Sequence, residues 1–149
     1  MQTSILEILK NEHVQIIQLA NKIARTPDKE SKKKFYQELK HMLFTHMEAE
    51  EQTLYAKLKN EEIDNAQFLA DDAEFEHRQI RDSFEMLEDI EFASQEWIEQ
   101  FIDIRSSIKE HVEFEESTLF AEAKEDFSDG ELLHFSKNYL ETKDRTISF

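Results

Sequence analysis

Residues 35–54 read FYQELKHMLFTHMEAEEQTL. Phe35, Leu39, Met42, Leu43, His46, Glu50 and Leu54 recur at intervals of three and four, which places them on one face of an α-helix. Two members of that inward stripe, His46 and Glu50, are polar. An interior imidazole or carboxylate is costly unless something pairs with it. The same pattern returns further along, where Trp97, Phe101, Ile104, Ile108, His111, Val112, Glu115 and Leu119 form a second stripe. His46-x-x-x-Glu50 and His111-x-x-x-Glu115 are therefore two places where a helical core turns polar over a full turn.

Working outward, the periodicity predicts four long helices. The first spans about 4–25, with Ile5, Leu6, Leu9, Ile16, Ile17, Ala20 and Ile23 inward and His13 on the same stripe. Thr26-Pro27-Asp28 ends it, because proline disfavours helix at the residue before it and Asp28 can cap the next helix. The second helix runs 29–59, adding Leu58 to its stripe, and residues 60–64 form the next turn. The third runs 65–90, with Leu69, Ala73, His77, Ile80, Phe84 and Leu87 inward. Phe92-Ala93-Ser94 turns the chain, with Ser94 as cap, into a fourth helix over 95–126. Ser128-Asp129-Gly130 breaks it. A short fifth helix over 131–140 would pack Leu132, Leu133 and Phe135 on the bundle end, leaving Thr142 to Phe149 frayed. The expected architecture is all-α: an up-down-up-down four-helix bundle (about 4–126) with a C-terminal extension (128–149), one domain over 1–149.

Composition agrees. One glycine and one proline in 149 residues leave few turn formers for a many-stranded β fold, and 35% charged residues rich in Glu and Lys favour helix. A formal charge of -16 argues against nucleic acid and anionic membrane surfaces as partners. No cysteine is present, so any metal must be held by nitrogen and oxygen. Residues 1–10 lack a basic start followed by an apolar run, and no stretch nears the ~18 apolar residues of a membrane span. A cytoplasmic protein is the expectation.

Antiparallel neighbours face each other when equally far from the turn that joins them. His46 lies about 15 residues before the turn near 61, and His77 about 16 beyond it. His77 and His111 straddle the turn near 93 at about 16 and 18 residues. His13 and His46 straddle Pro27 more loosely, at about 14 and 19. Residues i and i+4 lie ~40° apart around a helix, so each histidine and its glutamate project together. Six histidines and 24 glutamates give about one His-x-x-x-Glu pair by chance, so the spacing alone is weak. One inward histidine on each of four helices at one level, joined by two inward glutamates, points to bound metal. His41, ~140° round from His46, and His134, beyond the bundle, should not take part. A ferritin-like site would use Glu38-x-x-His41 and Glu74-x-x-His77 with a lone inward glutamate on each remaining helix. His41 is off its stripe, and so are Glu7 and Glu12.

These residues resemble the hemerythrin-like family, the His-His-Glu cation-binding domain, over about residues 5–125. The resemblance implies two irons, one held by His13 and His46, the other by His77 and His111. Glu50 and Glu115 would bridge them together with an oxo or hydroxo group. It also implies a departure from the oxygen carriers, which have a second histidine four residues from that of the third helix. Here Ala73 and Arg81 stand four residues either side of His77. Water, substrate or a carboxylate would fill the place, Glu74 being the nearest carboxylate at ~60° from His77. Leu9, Ile16, Leu43, Ile80, Ile108 and Val112 would wall a dry pocket that admits O2, NO or H2O2. The expected function is binding or sensing O2 or a related diatomic. The alternative is a di-iron enzyme reducing peroxide or handling NO, and a lower reading is iron holding. Any signalling output would come from a partner protein. Whether the chain is an enzyme, its oligomeric state and its physiological ligand are not written in the sequence.

Overall fold

The computed structural model describes residues 3–147, with side chains to Arg145. Ser4 caps α1 (Ile5–Arg25), its hydroxyl accepting from the Leu6 amide at 3.2 Å. Asp28 caps α2 (Lys29–Glu50) through the Ser31 amide at 2.9 Å. Then α2 passes without a break through a π-helical turn (Glu51–Tyr55) into α3 (Ala56–Asn60). After a three-residue turn comes α4 (Asp64–Leu87). Ala93 adopts a left-handed φ of 65°, reversing the chain so that Ser94 caps α5 (Gln95–Phe114). A second π turn (Glu115–Leu119) joins α5 to α6 (Phe120–Asp126).

Four rods result: α1, α2 with α3, α4, and α5 with α6. Each packs on its neighbours around a ring, α1 closing against α5. The expected stripes face inward almost throughout, with Ile17, Phe35 and Met42 only half-buried and Tyr36 taking an inward place beside Phe35. Among the described residues no helix is long and apolar enough to cross a membrane.

The fifth helix differs from expectation. It is α7 (Asp129–Ile147), 19 residues long, and it lies along α1, α2 and the first π turn. The stretch expected to fray is helical to Ile147, with Thr142 buried; Ser148 and Phe149 lie outside the described residues. Ser128-Asp129-Gly130 is a helix start rather than a simple break. The Ser128 hydroxyl accepts from the Glu131 amide (3.1 Å) and the Glu131 carboxylate accepts from the Ser128 amide (2.9 Å), a reciprocal capping box. Tyr139, fully buried, and Leu132 and Phe135 anchor α7 in the core.

The apolar interior is in two parts. One gathers Leu9, Leu54, Tyr55, Leu58, Phe120, Phe127 and Tyr139 around the start of α1 and α7. The other gathers Ile16, Leu39, Phe84, Trp97, Phe101 and Ile108 towards the opposite end. A polar belt lies between them.

Candidate metal centre

That belt is made of the six expected residues. His13 comes from α1, His46 and Glu50 from α2, His77 from α4, His111 from α5, and Glu115 opens the second π turn. All are buried, none more than 6% exposed. They form two overlapping groups, His13, His46, Glu50 and Glu115, and His77, His111, Glu50 and Glu115. Within each, one nitrogen or oxygen from every residue lies within 4.8 Å of the rest. The two carboxylates belong to both groups. Glu50 Oε1 stands 3.1 Å from His46 Nε2 and 3.3 Å from His77 Nε2. Glu115 reaches His13 Nε2 at 3.4 Å and His111 Nε2 at 3.2 Å. His77 and His111 bring their Nε2 atoms to 3.0 Å.

Each histidine turns Nε2 inward because its Nδ1 is held from outside. Glu12 of α1 accepts from His46 of α2, and Glu51 of the first π turn from His77 of α4. Glu76 of α4 accepts from His111 of α5, and Glu116 of the second π turn from His13 of α1. All four distances are 2.7 Å. The braces run once around the bundle, each helix holding the histidine of the next. A carboxylate on one ring nitrogen fixes the tautomer and leaves the other nitrogen's lone pair free for a metal.

The inner atoms are short of partners. His13 Nε2, His46 Nε2, Glu50 Oε2 and Glu115 Oε1 are buried without a hydrogen-bond partner. Native interiors satisfy the large majority of such atoms, and here four orphans converge on one space. A donor set of four imidazole nitrogens and two carboxylates suits a first-row cation such as iron, zinc or manganese, so the residues present fit metal. In its absence protons do part of the work. Burial and the charge of Glu115 push the Glu50 carboxyl up to about 8. Burial also opposes ionisation of Glu115, but the Glu50 carboxyl and the imidazoles of His111 and His13 beside it outweigh burial and hold Glu115 well below the carboxylate range. Burial disfavours charged His111 as well, yet Glu115 and Glu76 raise it to about 10.

Glu74 is not at the centre; it pairs with Lys59 at 2.5 Å on the outer side of α4. The residue that stands near His77 instead is Tyr55. Its hydroxyl donates to Glu115, lies 3.2 Å from His77 Nε2 and 3.5 Å from Glu50 Oε1. Burial, then the nearby carboxylates, keep this phenol protonated far above its usual range. Tyr55 follows Glu50 by five residues, ~140° away on a regular α-helix, and only the wider π turn brings it back over the glutamate. The second π turn does the same for Phe120, five residues after Glu115, which stacks on His13 at 6.2 Å between centroids. The two halves therefore differ, phenol beside His77 and plain ring beside His13. Such turns inside helices occur frequently at functional sites, and nothing in the helical period announces them. The bracing carboxylates had a visible signal: each adjoins one of the six residues, in Glu12-His13, Glu50-Glu51, Glu76-His77 and Glu115-Glu116. His41 and His134 are exposed and away from the centre, as expected, which leaves the ferritin-like pattern without its second histidine.

The model of the hemerythrin HHE cation binding domain matches residues 4–123, and the chain belongs to that family. Among solved structures, a hemerythrin HHE cation binding domain-containing protein from Mycobacterium kansasii shares the fold. Its TM-score is 0.85 at 23% identity, covering 96% of this chain and 86% of that one. No curated protein matches the chain.

Proposed function

We propose that the chain, taken over 1–149 as one hemerythrin-like domain, is a non-heme di-iron protein that binds or senses O2 or a related small diatomic. His13 and His46 would hold one iron and His77 and His111 the other, with Glu50, Glu115 and an oxo or hydroxo group bridging. The observation that carries this reading is the convergence of four orphaned, buried atoms on Nε2 and carboxylate positions shared by two histidine pairs. When bound, a ferrous pair supplies electrons to a small oxidant. The chain's own residues supply the rest. Leu9, Ile16, Leu43, Ile80, Ile108 and Val112 are all buried around the centre and keep bulk water and large molecules out. The four bracing carboxylates hold the imidazoles in place.

A second reading, reduction of peroxide or handling of NO, is favoured by Tyr55. Reducing H2O2 to two waters takes two electrons and two protons, the electrons coming from a reducing co-substrate. The Tyr55 hydroxyl, 3.2 Å from His77 Nε2, carries one proton, which it donates to Glu115 and could turn towards a small molecule in that half. Anaerobic addition of O2, then of H2O2, to the reduced, iron-loaded protein separates the readings. A reversible optical change with O2 supports binding; sustained loss of peroxide with a reductant supports turnover. Absence of any optical response to either would refute both.

A further inference from the structure

The four bracing carboxylates are not equally supported. Among the described residues no lysine or arginine is paired with Glu76 or Glu116, whose partners are the histidines they brace. Glu51 has Arg81, whose guanidinium donates at 2.8 Å. Glu12, the brace of His46, has two donors, and both come from outside the four-rod bundle. Tyr139 and Lys143 of α7, four residues apart and so on one face of that helix, each donate to the Glu12 carboxylate. Tyr139 is fully buried, its hydroxyl 3.2 Å from His46 Nδ1.

This arrangement does more than pin a helix. A partly exposed ammonium–carboxylate pair adds little to stability, and α7 is already anchored by Leu132, Phe135 and the Tyr139 ring. What the two donors determine is where the Glu12 oxygens point. Oε1 faces His46 Nδ1 and the Tyr139 hydroxyl, while Oε2 faces Lys143. With Oε2 held by the ammonium, Glu12 cannot rotate away from the imidazole. The ring is then locked with Nε2 towards Glu50 and His13.

Resting on the proposed metal centre, we propose that Tyr139 and Lys143 are positioning residues for it. Through Glu12 and His46 they make the fifth helix part of the support of one metal position, the one His46 shares with His13. Among the described residues the His77–His111 position has no such link to α7.

The test is Co2+ binding to the chelator-treated protein, followed by its visible absorption and by competition with a chelator. Outer partners of metal-bound histidines are commonly worth tenfold or more in affinity. Lys143→Met and Tyr139→Phe should each weaken one of two Co2+ equivalents by about tenfold and leave the other within about twofold. Lys143→Arg, which keeps the cation, should restore most of the loss. Lys57→Met, whose ammonium lies over the Phe135 ring, should change neither equivalent. Helix content and melting of the metal-free variants, measured alongside, separate misfolding from mispositioning, and Tyr139→Phe retains the core packing if Lys143→Met does not fold. Unchanged affinity in both variants, or equal weakening of both equivalents, would overturn the inference while leaving the metal centre standing. No Co2+ or iron bound by the unmodified chain would overturn the metal centre itself.

Discussion

Replacing Glu50 by glutamine should stabilise the metal-free chain and ruin it as a metal protein. The carboxyl titrates at about 8 in the fold against an ordinary 4.5. At pH 7 it is an anion when unfolded and protonated when folded, so folding must drive protonation across about two and a half pH units. At 1.36 kcal/mol per unit the burden is about 3 kcal/mol. A glutamine at this position escapes it, and its amide N–H can take over the donor role towards Glu115. For a chain of this size 1 kcal/mol moves the melting temperature by roughly 2–4 °C, so metal-free Glu50→Gln should melt roughly 6–12 °C higher. Linkage sets the sign with pH. Between 4.5 and 8 the folded chain holds the Glu50 proton and the unfolded chain has lost it, so that contribution to stability is full below 4.5 and falls as pH rises towards 8. The variant lacks this slope, and its advantage should vanish near pH 4. With Fe2+ or Zn2+ added the order should reverse, because ligand-linked stabilisation needs the bridging carboxylate. Thermal melts by circular dichroism with and without chelator, from pH 4 to 8, measure all of this. A metal-free variant that melts below the unmodified chain at pH 7, or a gain that does not depend on pH, would refute the reasoning.

His46→Ala and His111→Ala should cut metal content sharply while His41→Ala leaves it intact, which elemental analysis checks. Metal binding should release protons, since Glu50 and His111 hold theirs at neutral pH without metal; affinity should therefore rise from pH 6 to pH 8, and a flat profile would contradict the ligand set. Tyr55→Phe removes a donor from buried Glu115 and should cost the metal-free chain about 2 kcal/mol in denaturant unfolding. Ala93→Gly relieves a left-handed φ of 65° and should gain about 1 kcal/mol by the same measurement.

The bundle and the six inward residues were legible because both rest on one regularity, the 3.6-residue period. Leu39, Leu43, His46 and Glu50 share a face whatever surrounds them, and the caps Ser4, Asp28 and Ser94 mark where the faces begin. What escaped was everything that departs from the period or depends on contact between helices. Tyr55 and Phe120 reach the centre through π turns that a fixed angular step places off the stripe. Glu12 lies on the flank of its own helix and finds its purpose only on His46 of the next. Glu74 had the right spacing from His77 and the wrong side, where Lys59 takes it. The extra length of α7 brings Tyr139 and Lys143 to Glu12, more than 100 residues away in sequence, a meeting that no local pattern encodes.

The division of the interior into two apolar masses has its own consequence. A hydrophobic core ordinarily makes a small domain unfold as one event, because loss of any part exposes the rest. Here the seam between the masses is a layer of mutually dependent acids and imidazoles, and without its ions it joins them weakly. A metal cluster would act as a rivet through that seam. Stripping it should lower cooperativity as well as stability, so that the end holding Trp97 and the end holding Tyr139 melt apart, each at its own temperature.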